Sequence, residues 1–115
     1  MKDRNSKADI YNAIYEIVRL CPKGRVTSYG AVAAAVGLKS GARLVGYAMS
    51  VCKDIKPKVP AHRVVNSHGL LSGKHHFATP ETMQLLLQKE GIQVHDDKVV
   101  DFGRLFWDPI KELDV

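Results

Sequence analysis

The stretch Thr27–Cys52, TSYGAVAAAVGLKSGARLVGYAMSVC, decides how this chain folds. It opens on two hydroxyl residues, Thr27 and Ser28, either of which can cap a short helix running through Ala31–Val36 that Gly37 closes. Ser40 stands where it can cap a second helix. In that helix Val45, Ala48, Met49 and Cys52 recur every three or four residues and so share one buried stripe, while Arg43, Gly46, Tyr47 and Ser50 face elsewhere. Two short helices joined by "GLKS" have the layout of a helix-turn-helix, whose second helix docks into a groove of DNA. Periodicity alone leaves a second reading open, because an αα-corner of the same layout can bind nothing.

Upstream, Ser6-Lys7-Ala8-Asp9 reads as a capping box, and Ile10, Ile14, Ile17, Val18 and Cys21 fall on one helical stripe that Pro22 and Gly24 end. Downstream, Lys53 to Pro60 is a basic, proline-containing loop. "HRVVNSHGLLSG" reads as a short strand, a turn near Asn66–Gly69 and a loop. Thr79-Pro80-Glu81 is a helix start with threonine as cap; Met83, Leu86 and Leu87 face inward and Gly91 ends the helix. "IQVHDDKVV" predicts a small hairpin turning at Asp96-Asp97. The tail "FGRLFWDP" holds the only tryptophan and two of the three phenylalanines, so it is expected to pack back onto the body. The sum is a mainly α fold with a few short strands, in one domain spanning 1–115.

The 115 residues, 45% hydrophobic and 25% charged, fit one globular domain. No apolar run approaches the ~20 residues of a bilayer span, and "MKDRNSKADIY" has no signal-peptide apolar stretch. The expectation is a cytoplasmic monomer without a membrane, associated with the nucleoid if bacterial. Cys21 and Cys52 read as buried small hydrophobes rather than a disulfide or metal clip. The histidines (His62, His68, His75, His76, His95) lack zinc-site spacing, and no cofactor or metal is expected. The net charge of +5 is unevenly spread: from Ile17 to Ala78 there are ten Lys/Arg against one acid, Asp54, and from Thr79 onward four against eight. That asymmetry suits one face meeting a polyanion, nucleic acid being the usual case, although a solvated basic surface would look the same.

"GRVTSYGAVAAAVG", "GARLVGYAM", "VPAHRVVNSHGLLSG" and "LLLQKEGI", in this order and spacing, resemble the DNA-binding domain of the O6-alkylguanine-DNA alkyltransferases over residues 10 to 92. The resemblance implies a winged-helix-like helix-turn-helix domain. In the repair enzymes the residue between proline and histidine is the cysteine that accepts the alkyl group; here it is Ala61. Displacement by sulfur needs a thiolate, made by a histidine that an acid holds in place. By resemblance His62 is that base and Glu90 its carboxylate, but Ala61 has no nucleophilic atom, so no catalytic residue is expected. The chain is similar to the alkyltransferase-like proteins, which lack the cysteine. These imply a non-enzymatic sensor that flips O6-alkylguanine out of double-stranded DNA and passes it to nucleotide excision repair proteins. A transferase inactivated by cysteine-to-alanine substitution is the alternative, and a regulator reading undamaged sequence is a third.

The resemblance assigns roles to particular residues. Arg43 matches an arginine finger that fills the stack where the nucleotide leaves, a task suited to a planar guanidinium. Gly41, Ala42 and Gly46 would let the helix backbone approach the minor groove. Tyr29 would border the pocket and act on the phosphate 3′ to the lesion, with Thr27 and Ser28 offering N–H groups to phosphate. Ser72 and Gly73 would form the pocket rim, and Lys74 would set a cation against the extruded base. Arg63 is in the DNA-side set too, though its expected work is to tie the loop to backbone or a carboxylate. Ala61 itself leaves space in which alkyl groups larger than methyl can sit.

Overall fold

The computed structural model describes residues 7–113. Ser6, the expected cap of the first helix, lies outside them. Helix α1 (Lys7–Leu20) buries Ile14, Tyr15 and Val18, and Cys21 follows on the same stripe, while Ile10 and Ile17 are half-buried. The Tyr15 hydroxyl donates to the Ala48 carbonyl at 3.1 Å, so a polar pin fixes α1 to the second helix of the pair below.

Strand β1 (Thr27–Ser28) leads directly into α2 (Tyr29–Ala35), and α3 (Ala42–Ser50) follows. Ser28 caps α2, its Oγ accepting from the Ala31 N–H at 3.1 Å. Thr27 does not share that work: it is fully buried and its Oγ1 has no partner among the described residues. Gly37 ends α2 at φ +81°, with Gly37 N–H donating to Ala34 O and Leu38 N–H to Ala33 O. That pair of bonds satisfies the last carbonyls of the helix and needs a left-handed residue, which glycine supplies without strain. Ser40 is not the cap of α3. It sits at φ +53°, and Gly41 takes the cap position with no side-chain bond.

After α3 the chain crosses Lys53–Pro60 to a 3-10 turn, Ala61–Arg63, and strand β2 (Val64–Val65). Strands β1 and β2 pair in parallel, Thr27 opposite Val64 and Ser28 opposite Val65. Side chains alternate along a strand, so Val64 enters the core of α1, α2 and α3, and Val65 enters a second core with Val26, Leu71, Met83, Leu87, Ile92 and Val99. Each such fully buried aliphatic side chain stabilises the fold by about 2 kcal/mol. Asn66 builds the turn after β2, its Oδ1 accepting from His68 N and Leu70 N.

A second 3-10 turn, Lys74–His76, precedes α4 (Thr82–Lys89). The cap lies two residues beyond the expected Thr79. Glu81 holds the cap position without a side-chain bond, and Thr82 Oγ1 accepts from the Thr79 N–H instead. Gly91 closes α4 at φ +86° with the same two-bond motif, Gly91 N to Gln88 O and Ile92 N to Leu87 O. Strands β3 (Val94–His95) and β4 (Lys98–Val99) form the hairpin, turning on Asp96 and Asp97, both left-handed. Short helices α5 (Phe102–Leu105) and α6 (Pro109–Glu112) follow. Trp107 is buried, the Val26 N–H donates to the Leu105 carbonyl and the Trp107 N–H to the Val26 carbonyl, and the Arg25 guanidinium donates to the carbonyls of Leu105 and Phe106. The molecule is mainly helical, a helix-turn-helix of α2 and α3 with a hairpin wing.

Candidate nucleic-acid interface

The outer face of α3 carries Ala42, Arg43 and Tyr47, all exposed, with Gly46 between them. Its inner face (Val45, Ala48, Met49) is anchored in the core, so the outer side chains stand on a rigid base. A cleft of about 560 Å³ runs beside it, bordered by Tyr29, Arg43, Gly46, Tyr47, Ser72 and Gly73. Among the described residues Arg43 has no hydrogen-bond or ion-pair partner, so its guanidinium is uncommitted. Tyr29 shares a side-chain hydrogen bond with Ser72; burial pushes the phenol upward and that bond opposes it, so the hydroxyl stays protonated. A Cβ on Gly73 would lie 2.5 Å from the Tyr29 hydroxyl, so only glycine leaves the ring in this place.

The two glycines flanking Arg43 differ. Gly46 has nothing within 4 Å of a notional Cβ and presents open backbone. Gly41 is buried, and its Cβ would meet Leu38 Cβ at 2.5 Å and Ala33 Cβ at 3.2 Å. Gly41 therefore serves the helix-to-helix turn and not an approach to a ligand. Gly41→Ala is expected to destabilise the fold by about 1 kcal/mol or more, through forced repacking of a tight contact. Gly46→Ala is expected to hold or raise the melting temperature, and to act only on duplex affinity. Thermal melts beside fluorescence-anisotropy titrations check both.

A second cavity of about 470 Å³ adjoins the first and shares Ser50 and His76 with it. Its apolar wall includes Met49, Val59, Ala61, Phe77 and Leu86, and Lys53 and Lys58 stand at its edge. Ala61 lies on the 3-10 turn that β2 fastens to β1, so its methyl group is fixed against this space. Cys52 also borders the cavity, but burial raises its thiol and it stays protonated, a poor nucleophile. Burial likewise pushes the Cys21 thiol up to about 12.

Behind Ala61 one carboxylate gathers three segments. Glu90 accepts from His62 Nε2 at 2.7 Å, from Arg63 Nη2 at 2.8 Å and Nε at 3.0 Å, and from the Gly24 N–H at 3.1 Å. Burial alone would raise its pKa; the bonds from Arg63, His62 and Gly24 outweigh it and bring the carboxyl down to about 2. His62 moves down as well, because burial outweighs the pull of Glu90, and the nearby Arg63 and Lys58 charges add to it. Arg63 also donates to the Cys21 carbonyl at 2.9 Å. Its guanidinium is spent inside the protein, so it corrects the grouping of Arg63 with the DNA-side residues.

Lys74, expected to be a free cation facing the pocket, is paired with Asp97 at 2.6 Å. Neither Lys74 nor Asp97 borders either cleft, so the pair ties the hairpin turn to the loop after Gly73 and sets no cation against the pocket. Thr27, expected to offer an N–H to phosphate, and Gly41, expected to let backbone approach the groove, are both buried and present little surface to a ligand. The structure brings Tyr29, Ala42, Arg43, Gly46, Ser72 and Gly73 to one cleft, and Ala61 and His62 to the next. Sequence reasoning missed His76 and Phe77, for which no motif or periodicity gave a signal, and left Ser50 out of the site although the period of α3 puts it on the face of Arg43, Gly46 and Tyr47. Among the described residues no cluster of histidine, cysteine or acid side chains is fit to hold a metal ion.

Residues 9–92 match the family model of the 6-O-methylguanine DNA methyltransferase, DNA binding domain. The chain is 34% identical over 96 residues to alkyltransferase-like protein 1 of Schizosaccharomyces pombe, covering 82% of this chain and 86% of that protein. It is 32% identical over 109 residues to the DNA base-flipping protein of Escherichia coli K12, covering 92% and 81%. The crystal structure of S. pombe Atl1 in complex with damaged DNA containing O6-carboxymethylguanine superposes with a TM-score of 0.77 at 30% identity, over 93% of this chain and 98% of that one.

Proposed function

This chain belongs to the family of the 6-O-methylguanine DNA methyltransferase DNA-binding domain, and from that premise we propose that it is a non-enzymatic sensor of O6-alkylguanine in duplex DNA. One observation carries the reading. His62 and Glu90 are hydrogen-bonded at 2.7 Å, as a base and its orienting acid would be, yet the residue beside them is Ala61. The apparatus for making a thiolate is assembled next to a methyl group. What remains is a cavity of a shape and position to hold a base without bonding to it.

The geometry supplies a route. Arg43 enters the stack from the outer face of α3 and fills the space the nucleotide leaves. The extruded base passes Tyr29 and the Ser50–His76 boundary into the cavity walled by Met49, Val59 and Ala61. Flipping costs a few kcal/mol and least where the base pairs badly, which is the case for an O6-alkylated guanine. The same geometry supports holding the lesion for nucleotide excision repair proteins, since a captured base that cannot react must be removed by others. That work would be done beside DNA in the cytoplasm.

The protein is expected to bind a duplex containing O6-methylguanine about tenfold or more tightly than the same duplex with guanine, the difference in flipping cost being worth more than 1 kcal/mol. Incubation with duplex carrying a radiolabelled O6-methyl group is expected to leave all label on DNA. Label on the protein, or equal affinity for the two duplexes, overturns the reading.

A further inference from the structure

The cavity beside Ala61, proposed above to receive the base, is lined by apolar side chains and by two exposed lysines. Lys53 and Lys58 both border it, and no acidic residue does. These two lysines, like Arg43 on the neighbouring cleft, differ from Arg63 and Lys74 in one respect. Arg63 is spent on Glu90 and the Cys21 carbonyl, and Lys74 on Asp97, whereas Lys53 and Lys58 have no hydrogen-bond or ion-pair partner among the described residues. The Lys58 charge is near enough to His62 to help push its pKa down. His76, also at the boundary, adds a hydrogen-bonding ring with no partner of its own among the described residues. A guanine base placed against Ala61 would direct its O6 substituent into a space with apolar walls and two free ammonium groups at the edge.

We infer that this pocket selects O6 substituents that end in an anion, such as carboxymethyl, over neutral substituents of the same size. The inference rests on the lesion-sensor reading above. Short apolar linkers are served by Met49, Val59 and Leu86, and a terminal carboxylate then replaces its water with contacts to Lys53 and Lys58. Both lysines are exposed, so the attraction is screened and modest, and it weakens as salt rises.

The test compares one duplex carrying guanine, O6-methylguanine, O6-carboxymethylguanine or O6-carbamoylmethylguanine, the last being a neutral match in shape for the acid. The acid is expected to bind about fivefold more tightly than the amide at low salt, as partly exposed ion pairs allow. That ratio should fall toward one at high salt and in the double variant K53Q/K58Q. Both positions lie on an exposed loop, so the variant retains the fold. Equal binding of acid and amide by the natural protein overturns the inference while O6-methylguanine is still preferred over guanine. So does a double variant that weakens all four duplexes by one factor, since the lysines would then be serving phosphates. Loss of the preference for O6-methylguanine over guanine in the natural protein instead overturns the sensor reading and the inference with it.

Discussion

Replacing Arg43 with alanine is expected to lower affinity for an O6-methylguanine duplex by about thirtyfold and to leave the melting temperature unchanged. The affinity loss follows from what the side chain replaces. A base that leaves the stack forfeits stacking on both sides, and a guanidinium that enters the gap restores part of it, worth about 2 kcal/mol by comparison with base-stacking side chains elsewhere. The unchanged stability follows from the exposed position of Arg43 and its lack of partners within the described residues. Arg43→Lys keeps the charge and loses the plane, so it should recover salt-dependent binding to any duplex but little of the lesion preference. Anisotropy titrations of matched duplexes at two salt concentrations separate the two effects. A uniform loss in Arg43→Ala, with the lesion preference intact, would mean that Arg43 only touches phosphate.

Glu90→Gln acts on the other side of the pocket, and its expected effect is on stability. The carboxylate is 8% exposed and neutralises Arg63, itself 16% exposed, while holding His62 and the Gly24 N–H. The amide leaves the guanidinium buried without its counter-charge, at a cost of about 3 kcal/mol. For a domain of this size that lowers the melting temperature by about 10 °C. The acid limb reports the same group. Glu90 titrates near 2 in the fold against an ordinary 4.5, so the unfolded chain takes up its proton first. The stability it contributes is complete above about pH 4.5 and is lost as pH falls toward 2. His62 has the same sign: its folded pKa lies below 6.5, so stability declines as pH drops past that value and the unfolded imidazole charges. Urea melts from pH 7 to pH 3 should show natural protein and Glu90→Gln converging on the acid side. Parallel curves would mean that the charge of Glu90 contributes nothing to the fold.

Much of this was legible because it is local. The stripe Val45, Ala48, Met49 states which face of α3 is buried, and Gly37 and Gly91 mark helix ends through the left-handed residue that the closing bonds demand. The pairing of His62 with Glu90 was readable only through resemblance, since the two lie 28 residues apart and nothing in their spacing joins them. What stayed hidden is non-local or a choice among equal neighbours. Strands β1 and β2 have two residues each, too few for an alternation to be seen, and their pairing joins positions far apart in the chain. Ser40 and Gly41 compete for one cap, and the tight contact with Leu38 and Ala33 that only glycine permits favours Gly41. The Lys74–Asp97 bond depends on how the hairpin folds back over the loop, which periodicity cannot express.

The parallel coupling of β1 to β2 has a mechanical outcome. It ties the root of the helix-turn-helix to the turn that bears Ala61, and Tyr15 clamps the far end of the same helix pair. Helix α3 and the cavity beside Ala61 are therefore expected to move together, so that in the proposed flipping the bending would fall on the double helix. Occupancy should then track how easily the flanking base steps yield, so that a lesion beside a pliant pyrimidine–purine step is held longer than the same lesion inside a stiff A-tract.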